Sequence, residues 1–356
     1  VYCYRAQDEI EEAEFVIQQI RRLEQNNSDL HWGKFAILYR TNAQSRAFEE
    51  ILVRWGVPYK VVGGLRFYDR KEIKDVLAYL RAIANPADSV SMLRVINTPR
   101  RGVGKTTIES LQKAAIELGI PLWESLNDDT SVKTLAGRSS KGVLQFAQII
   151  QKWREQVDQI SASELVQGVL EDSGYLQDLK AQGTDEAEDR FQNVQELYNA
   201  VLQFEEENED DKSLVAFLAS ASLASDLEDS NEEEAKVSLM TLHSSKGLEF
   251  PIVFLVGLEQ GLFPSYRSLD DPAAIEEERR LCYVGITRAQ ERLFISHARE
   301  RRLYGNREPA SPSLFLAELP RELMETNVKA AVPKKWTKPI AQVKQEAAPV
   351  EDIDWS

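Results

Sequence analysis

The chain reads as an α/β protein: a parallel sheet covered by helices and interrupted by a mostly helical insertion. Short apolar runs alternate with amphipathic helical stretches from Val1 to about Pro86, as in a parallel sheet covered on both faces. Strand signals then vanish, and helical periodicity dominates as far as Glu234. Strands return at 237–242, 252–256 and 292–296, so the first domain resumes.

The elements follow in order. Val1-Tyr-Cys-Tyr4 alternates like a strand, and Ile10, Ala13, Ile17 and Ile20 share one helical face up to about Gln25. Residues 35–39 are an apolar strand. Thr41 with Gln44 makes a capping box for a helix to Trp55, which Gly56 and Pro58 stop. Residues 59–62 are a third strand, and Asp69 with Glu72 is expected to cap a helix reaching Asn85-Pro86. The insertion predicts helices at 108–118, 143–157, 162–170, 190–204 and 213–223. The expected division is 1–86 and 235–325 for the sheet domain, 87–234 for the helical subdomain and 326–356 for a flexible linker rich in Lys, Ala, Pro and Gln. Hinges are expected at Asn85-Pro86 and at the acidic stretch before Val237. Because the chain starts on Val1 and ends on Asp354-Trp-Ser356, it is expected to be a piece of a longer polypeptide.

With 356 residues, 43% hydrophobic and 28% charged, the composition fits two globular domains with sizeable cores. No apolar run approaches the roughly 20 residues that span a bilayer, so no membrane partner is expected. Two cysteines, Cys3 and Cys282, exclude a disulfide framework and fit a reducing cytoplasm. His31, His243 and His297 have no metal-ligand spacing. The net charge of -15 argues against a general nucleic-acid coat. The acids are concentrated in 205–211 and 226–234, which read as exposed loops, while Arg94, Arg100, Arg101 and Lys105 cluster, as do Arg299, Arg301, Arg302 and Arg307.

Four segments carry chemistry. Arg101-Gly-Val-Gly-Lys-Thr-Thr107 looks like a phosphate-binding loop. The full loop needs a glycine where Pro99 stands, and proline removes an amide donor there. The favoured reading is a Gly-rich turn between helices whose amides and Arg100, Arg101 and Lys105 grip DNA phosphates; an ordinary interhelical turn is the alternative. Residues 252–256 followed by Gly257-Leu258-Glu259 mimic an acidic strand end, but without a paired Asp-Glu they read as a core strand. Thr241-Leu-His-Ser-Ser-Lys-Gly-Leu-Glu-Phe-Pro251 joins two strands and places His243, Lys246 and Glu249 on a connection expected at one sheet end, where α/β proteins bind ligands. There Gly247 permits close backbone approach, and Glu249 offers a carboxylate to ribose hydroxyls.

The fourth segment is Glu276-Glu-Glu-Arg-Arg-Leu-Cys-Tyr-Val-Gly-Ile-Thr-Arg288, followed by a core strand. An arginine on such a rigid support presents a permanently charged planar fork suited to phosphate oxygens. The alternative is a surface helix whose Arg279 and Arg280 pair with the glutamates before them.

Thr241 to Phe263 and Glu276 to Ser296 resemble motifs V and VI of superfamily-one DNA helicases of the PcrA/UvrD/Rep family. So do Tyr39-Arg-Thr-Asn-Ala-Gln-Ser-Arg46, Gly63-Gly-Leu-Arg-Phe-Tyr-Asp69 and Asn97-Thr-Pro-Arg-Arg-Gly-Val-Gly104. The resemblance implies the second RecA-like domain in two pieces, with its helical subdomain inserted, from an ATP-driven 3′ to 5′ helicase or translocase of DNA repair and replication. It implies that Arg288 is an arginine finger on the γ-phosphate of ATP, and that Glu249 and Gly247 also contact the nucleotide. His243 and Lys246 would couple nucleotide to DNA. Tyr304, Arg40 and Asn42 would meet single-stranded DNA, although surface placement after a strand explains the last two equally. Thr98, Arg100, Arg101, Gly102, Gly104 and Lys105 would meet duplex at a single/double-strand junction. Ser265 departs from the family, which often has histidine there. The P-loop lysine and the Mg2+ ligands would belong to an N-terminal RecA-like domain, without which no ATP hydrolysis is expected. Two other readings stay open: a non-catalytic DNA- or protein-docking module, and a stand-alone NTPase using residues 102–107.

Overall fold

The computed structural model describes residues 1–225 and 235–327. Its strands are β1 (Tyr2–Ala6), β2 (Phe35–Tyr39), β3 (Tyr59–Val61), β4 (Val237–Thr241), β5 (Phe250–Leu255), β6 (Ala289–Ala298), β7 (Glu300–Leu303), β8 (Asn306–Pro309) and β9 (Glu325–Thr326). Its helices are α1 (Glu9–Asn26), α2 (Ser45–Arg54), α3 (Lys71–Ala84), α4 (Ser89–Val95), α5 (Lys105–Leu118), α6 (Leu122–Asn127), α7 (Asp129–Ala136), α8 (Ser140–Arg154), α9 (Ala162–Ser173), α10 (Tyr175–Gln182), α11 (Asp185–Glu207), α12 (Leu214–Ser225) and α13 (Pro272–Ile286).

Seven strands pair in the order β3-β4-β2-β5-β6-β1-β9, all parallel. Alternation along the strands fills two cores. Phe35, Ile37, Tyr39, Leu239 and Phe254 point to the α1 and α2 side. Ala36, Leu38, Met240, Val253 and Leu255 point to the other, where Cys282 of α13 packs with Phe263 and Phe315. Period-two burial on both faces is what a covered parallel sheet requires. β7 and β8 form a separate antiparallel hairpin beyond β6.

Helices α3 to α12 share a third core that begins at Phe67. α3, on the sheet-domain side of the expected boundary at residue 86, thus packs with the inserted helices. α3 buries Ile73, Val76, Leu77, Leu80 and Ile83 among the inserted helices, because its apolar stripe wraps most of its circumference. The Asp69 cap is corrected. Arg70 is the N-cap residue, Asp69 pairs with Lys74 at 2.6 Å, and Glu72 is buried accepting from Asn193 Nδ2 at 2.6 Å. The predicted capping box of Thr41 and Gln44 is present. Residues 205–207 continue α11 instead of opening a loop. The acidic hinge at 226–234 and residues 328–356 of the expected linker lie outside the described residues. Thr326, its expected first residue, belongs to β9, which pairs with β1.

The insertion docks on the sheet domain through polar groups. Arg46, fully buried on α2, donates through Nε to Glu196 (2.6 Å) and through Nη1 to Glu50 (2.7 Å) and to Gln203 (3.1 Å). Arg70 donates to Asn193 (2.9 Å) and to Ser45 (2.6 Å). Among the described residues no helix is long and apolar enough to cross a membrane.

Candidate functional site

Topology places the sequence-predicted residues. β4 and β5 both run parallel to β2, which lies between them. The connection 242–249 must therefore return along the strand direction, from the C-terminal end of β4 to the N-terminal end of β5. The expectation that His243, Lys246 and Glu249 share one sheet end is thus corrected: the segment joins the two ends. α13 makes the same descent, from the loop after β5 down to the start of β6.

At the lower end Arg288 and the end of this connection come together. Arg288 O accepts from Phe250 N (2.9 Å), and Gln290 Nε2 donates to Glu249 (3.2 Å). The half-buried Arg288 guanidinium donates to Val284 O (3.0 Å), Leu248 O (2.9 Å) and Thr287 Oγ1 (3.1 Å). Its N–H groups outnumber these three bonds, so donors remain free. Lys246, Gly247 and Glu249 are exposed beside it, and Gly247 takes φ +84°, which only glycine holds without strain.

At the upper end Arg40 follows β2. Its Nε donates to both oxygens of Glu278 (3.1 and 3.0 Å) and its Nη2 to one of them (2.7 Å). Glu278 also accepts from Ser265 N (3.3 Å). His243 is exposed in the turn after β4, yet the protein mass behind it and then the Arg40 charge push its imidazole below the ordinary value. Asn42 uses its backbone carbonyl to hold Arg70 Nη1 (2.9 Å). Arg279 and Arg280 pair with Glu276 and Glu277 as expected, and Arg279 also reaches Glu318 at 2.9 Å.

Tyr304 sits at the tip of the β7–β8 hairpin, 58% exposed. Tyr304 and Gly305 have φ of 52° and 86°, as a tight two-residue hairpin turn of the primed type requires. Of the clustered arginines, Arg299 and Arg307 are exposed and the other two turn inward. Arg301 lies between Glu12 and Glu259, its side chain 11% exposed and its Nε 2.6 Å from Glu259, and Arg302 is buried against Glu206 at 2.6 Å. Glu259, the strand-end acid, is thereby accounted for: burial raises its pKa while Arg301 opposes the shift.

The Gly-rich turn lies between α4 and α5 in the insertion. The segment preceding it is the helix α4, not the strand that a nucleotide loop needs. Asn97 Oδ1 accepts from Arg101 N (2.7 Å) and Val103 N (3.2 Å), and the Thr98 carbonyl accepts from Tyr79. Arg101 turns inward: its guanidinium donates to Tyr79 Oη (2.6 Å), Ser173 O (3.0 Å) and Pro99 O (3.2 Å). Arg100 and Lys105 are exposed, Gly102 takes φ +72°, and Gly104 caps α5 with no side-chain acceptor on the helix's free amides.

Sequence reasoning missed Glu278, which read as one of three surface glutamates, and Asn199 of α11, whose side chain bonds the hairpin backbone. The signal for Glu278 was available. It is the one of the three glutamates set on the inward face of α13 by helical spacing with Cys282 and Gly285.

The family model described as UvrD-like helicase C-terminal domain matches residues 1–300. The chain is 42% identical over 330 residues to the ATP-dependent DNA helicase PcrA of Staphylococcus aureus (strain Mu50), covering 92% of this chain and 45% of that protein. It is 42% identical over 328 residues to PcrA of Bacillus subtilis (strain 168), covering 90% and 44%. Against DNA helicase II of Haemophilus influenzae it is 43% identical over 330 residues, covering 91% and 45%. The chain thus spans about half the length of these relatives, and it belongs to the UvrD-like helicase C-terminal domain family.

Proposed function

We propose that this chain forms part of an ATP-dependent DNA helicase or translocase moving 3′ to 5′, completed by an N-terminal RecA-like domain. One observation carries the reading: the segment 242–249 and the helix α13 each join the nucleotide-side end of the sheet, with Glu249 and Arg288, to the DNA-side end, with His243, Arg40 and Glu278. A change of contact at one end then displaces the other through rigid elements.

The donor set fits one flank of a nucleoside triphosphate. Arg288 would place its free N–H groups on the γ-phosphate when the partner domain closes, and Glu249 would accept ribose hydroxyls beside Gly247. Arg288 neutralises charge on the phosphoryl group in transit, a role worth on the order of 10³–10⁵ in rate in related enzymes. The Mg2+ ligands would belong to the partner domain, as the resemblance to these helicases implies.

On the DNA side, Tyr304 would stack on a base of the single strand. Arg40 would offer the edge not used by Glu278 to a phosphate, with Asn42 beside it, and His243 and Lys246 would relay nucleotide state. Arg100, Lys105 and the amides at Gly102 and Gly104 would grip duplex phosphates at the junction, with Arg101 and Thr98 shaping the turn from within. The experiment is ATP hydrolysis and unwinding by the chain joined to its upstream half, compared with the chain alone. Activity is expected only in the joined form, and ATPase activity from residues 1–356 that survives Arg288→Ala would overturn the proposal.

A further inference from the structure

The Tyr304 hairpin is held at its base by its own domain, through Arg301 on Glu12 and Glu259, and nearer its tip by the insertion. Phe191, Tyr198, Asn199 and Glu206 of α11, spaced by seven, one and seven residues, fall within one stripe about 100° wide. The hairpin lies along that stripe. Asn199 Nδ2 donates to Arg302 O (3.1 Å) and its Oδ1 accepts from Gly305 N (3.0 Å), bracketing Tyr304 from both sides. Glu206 takes Arg302 Nη2 (2.6 Å) from one strand and Arg307 Nη2 (3.0 Å) from the other, and those arginines draw its carboxyl below the usual range. The Tyr304 ring stands 6.3 Å from that of Phe191, which carries the Lys180 ammonium at 4.8 Å on its face.

The turn needs this support. Tyr304 is the one described non-glycine residue with positive φ, a conformation that costs an ordinary side chain about 1 kcal/mol or more unless its surroundings fix it. Gly305 has no room for a side chain, because a Cβ there would lie 2.7 Å from the Tyr198 ring. Asn199 is 4% exposed, and both its polar ends are spent on hairpin backbone, with a second donor bond to Glu196 (2.9 Å). A buried amide that reads two backbone groups of another element fixes that element's register.

We propose that Asn199 is a positioning residue for Tyr304: the inserted helical subdomain, through Asn199 and Glu206 of α11, holds the hairpin in the form that presents the ring for base stacking. The inference rests on the proposed stacking role of Tyr304. It makes the single-strand platform a composite of both domains, so that displacement of the insertion alters grip on the strand without touching the nucleotide side.

The test uses the intact chain and two labelled probes, an oligothymidylate and the same backbone with abasic sites. Base–aromatic stacking predicts a preference of roughly 5- to 150-fold for the base-bearing strand. Tyr304→Ala should abolish that preference. Asn199→Ala should cut it nearly as far while leaving affinity for the abasic strand within about twofold, which a general loss of structure would not do. Glu206→Gln, at a half-exposed site that tolerates change, should reduce the preference in the same direction. Should Asn199→Ala not fold, Glu206→Gln decides. A preference that disappears with Tyr304→Ala but persists in both α11 variants overturns this inference alone. A preference that survives Tyr304→Ala removes the stacking reading as well.

Discussion

Arg40 and Glu278, 238 positions apart, are joined by three hydrogen bonds at the C-terminal end of the sheet, with side chains 22% and 7% exposed. The pair ties the residue after β2 to α13, the helix that leads to Arg288. Arg40→Gln would leave the Glu278 carboxylate buried without its cation. The expected cost is about 2–3 kcal/mol, short of the roughly 3–5 kcal/mol of a fully buried pair because Arg40 is partly wet. Glu278→Gln keeps a neutral acceptor and leaves Arg40 open to water, so it should cost about 1 kcal/mol. Urea unfolding of the two variants measures the difference, and equal costs would contradict the assignment of Glu278 as the drier partner.

Arg288 rests on three acceptors of its own domain, Val284 O, Leu248 O and Thr287 Oγ1. Only a planar fork reaches all three and still aims donors outward; lysine is a single point charge. In the chain joined to its upstream half, Arg288→Lys should therefore behave like Arg288→Ala, with turnover down on the order of 10³-fold or more. Nucleotide affinity should change little. Turnover of the lysine variant within tenfold of wild type would show that charge alone suffices, and that the fork geometry has no part in catalysis.

Gly142 of α8 lies against the Arg101 carbonyl, and a Cβ there would overlap that oxygen. Gly142→Ala must push α8 off the Gly-rich turn, at a cost of about 1–3 kcal/mol, and should weaken duplex binding by deforming the turn. Arg100→Ala should weaken duplex binding without changing the melting temperature, because Arg100 is exposed with no partner among the described residues. Its dependence of log affinity on log salt should fall by about one phosphate contact. Thermal melts paired with salt titrations separate the two effects, and an Arg100 variant with an unchanged slope would place the DNA elsewhere.

The sheet was legible because its strands are apolar runs buried on both faces, and period and length together distinguish them from helices. The capping box at Thr41 was legible because capping chemistry is local. What stayed hidden was long-range. Nothing near Arg101 says that its guanidinium turns inward to Tyr79 and Ser173. Nothing near Arg301 announces Glu12 and Glu259 as its partners, since pairs 289 and 42 residues apart leave no local pattern. The short helices α6, α7 and α10 escaped because two turns carry too few apolar positions to set a period. Likewise the path of 242–249 from one sheet end to the other depends on strand order, which the segment itself does not encode.

His243 offers a pH test of the upper end of the sheet. Surrounding protein and then the Arg40 charge disfavour its protonated form, while Glu278, Asp189 and Glu277 oppose them less strongly. Its folded pKa therefore lies below the unfolded value of about 6.5. Between those two values the unfolded chain binds more protons, so this residue's contribution makes stability rise with pH through the window and fall on acidification. At neutral pH the imidazole is uncharged, and any relay through it uses hydrogen bonds. Titration of the imidazole carbon-bound protons by NMR should give a midpoint below 6.5, and Arg40→Gln should raise it by removing a cation. A midpoint unmoved by that substitution would show that Arg40 does not act on His243, and would break the proposed link between the β2 end and the connection that runs down to Glu249.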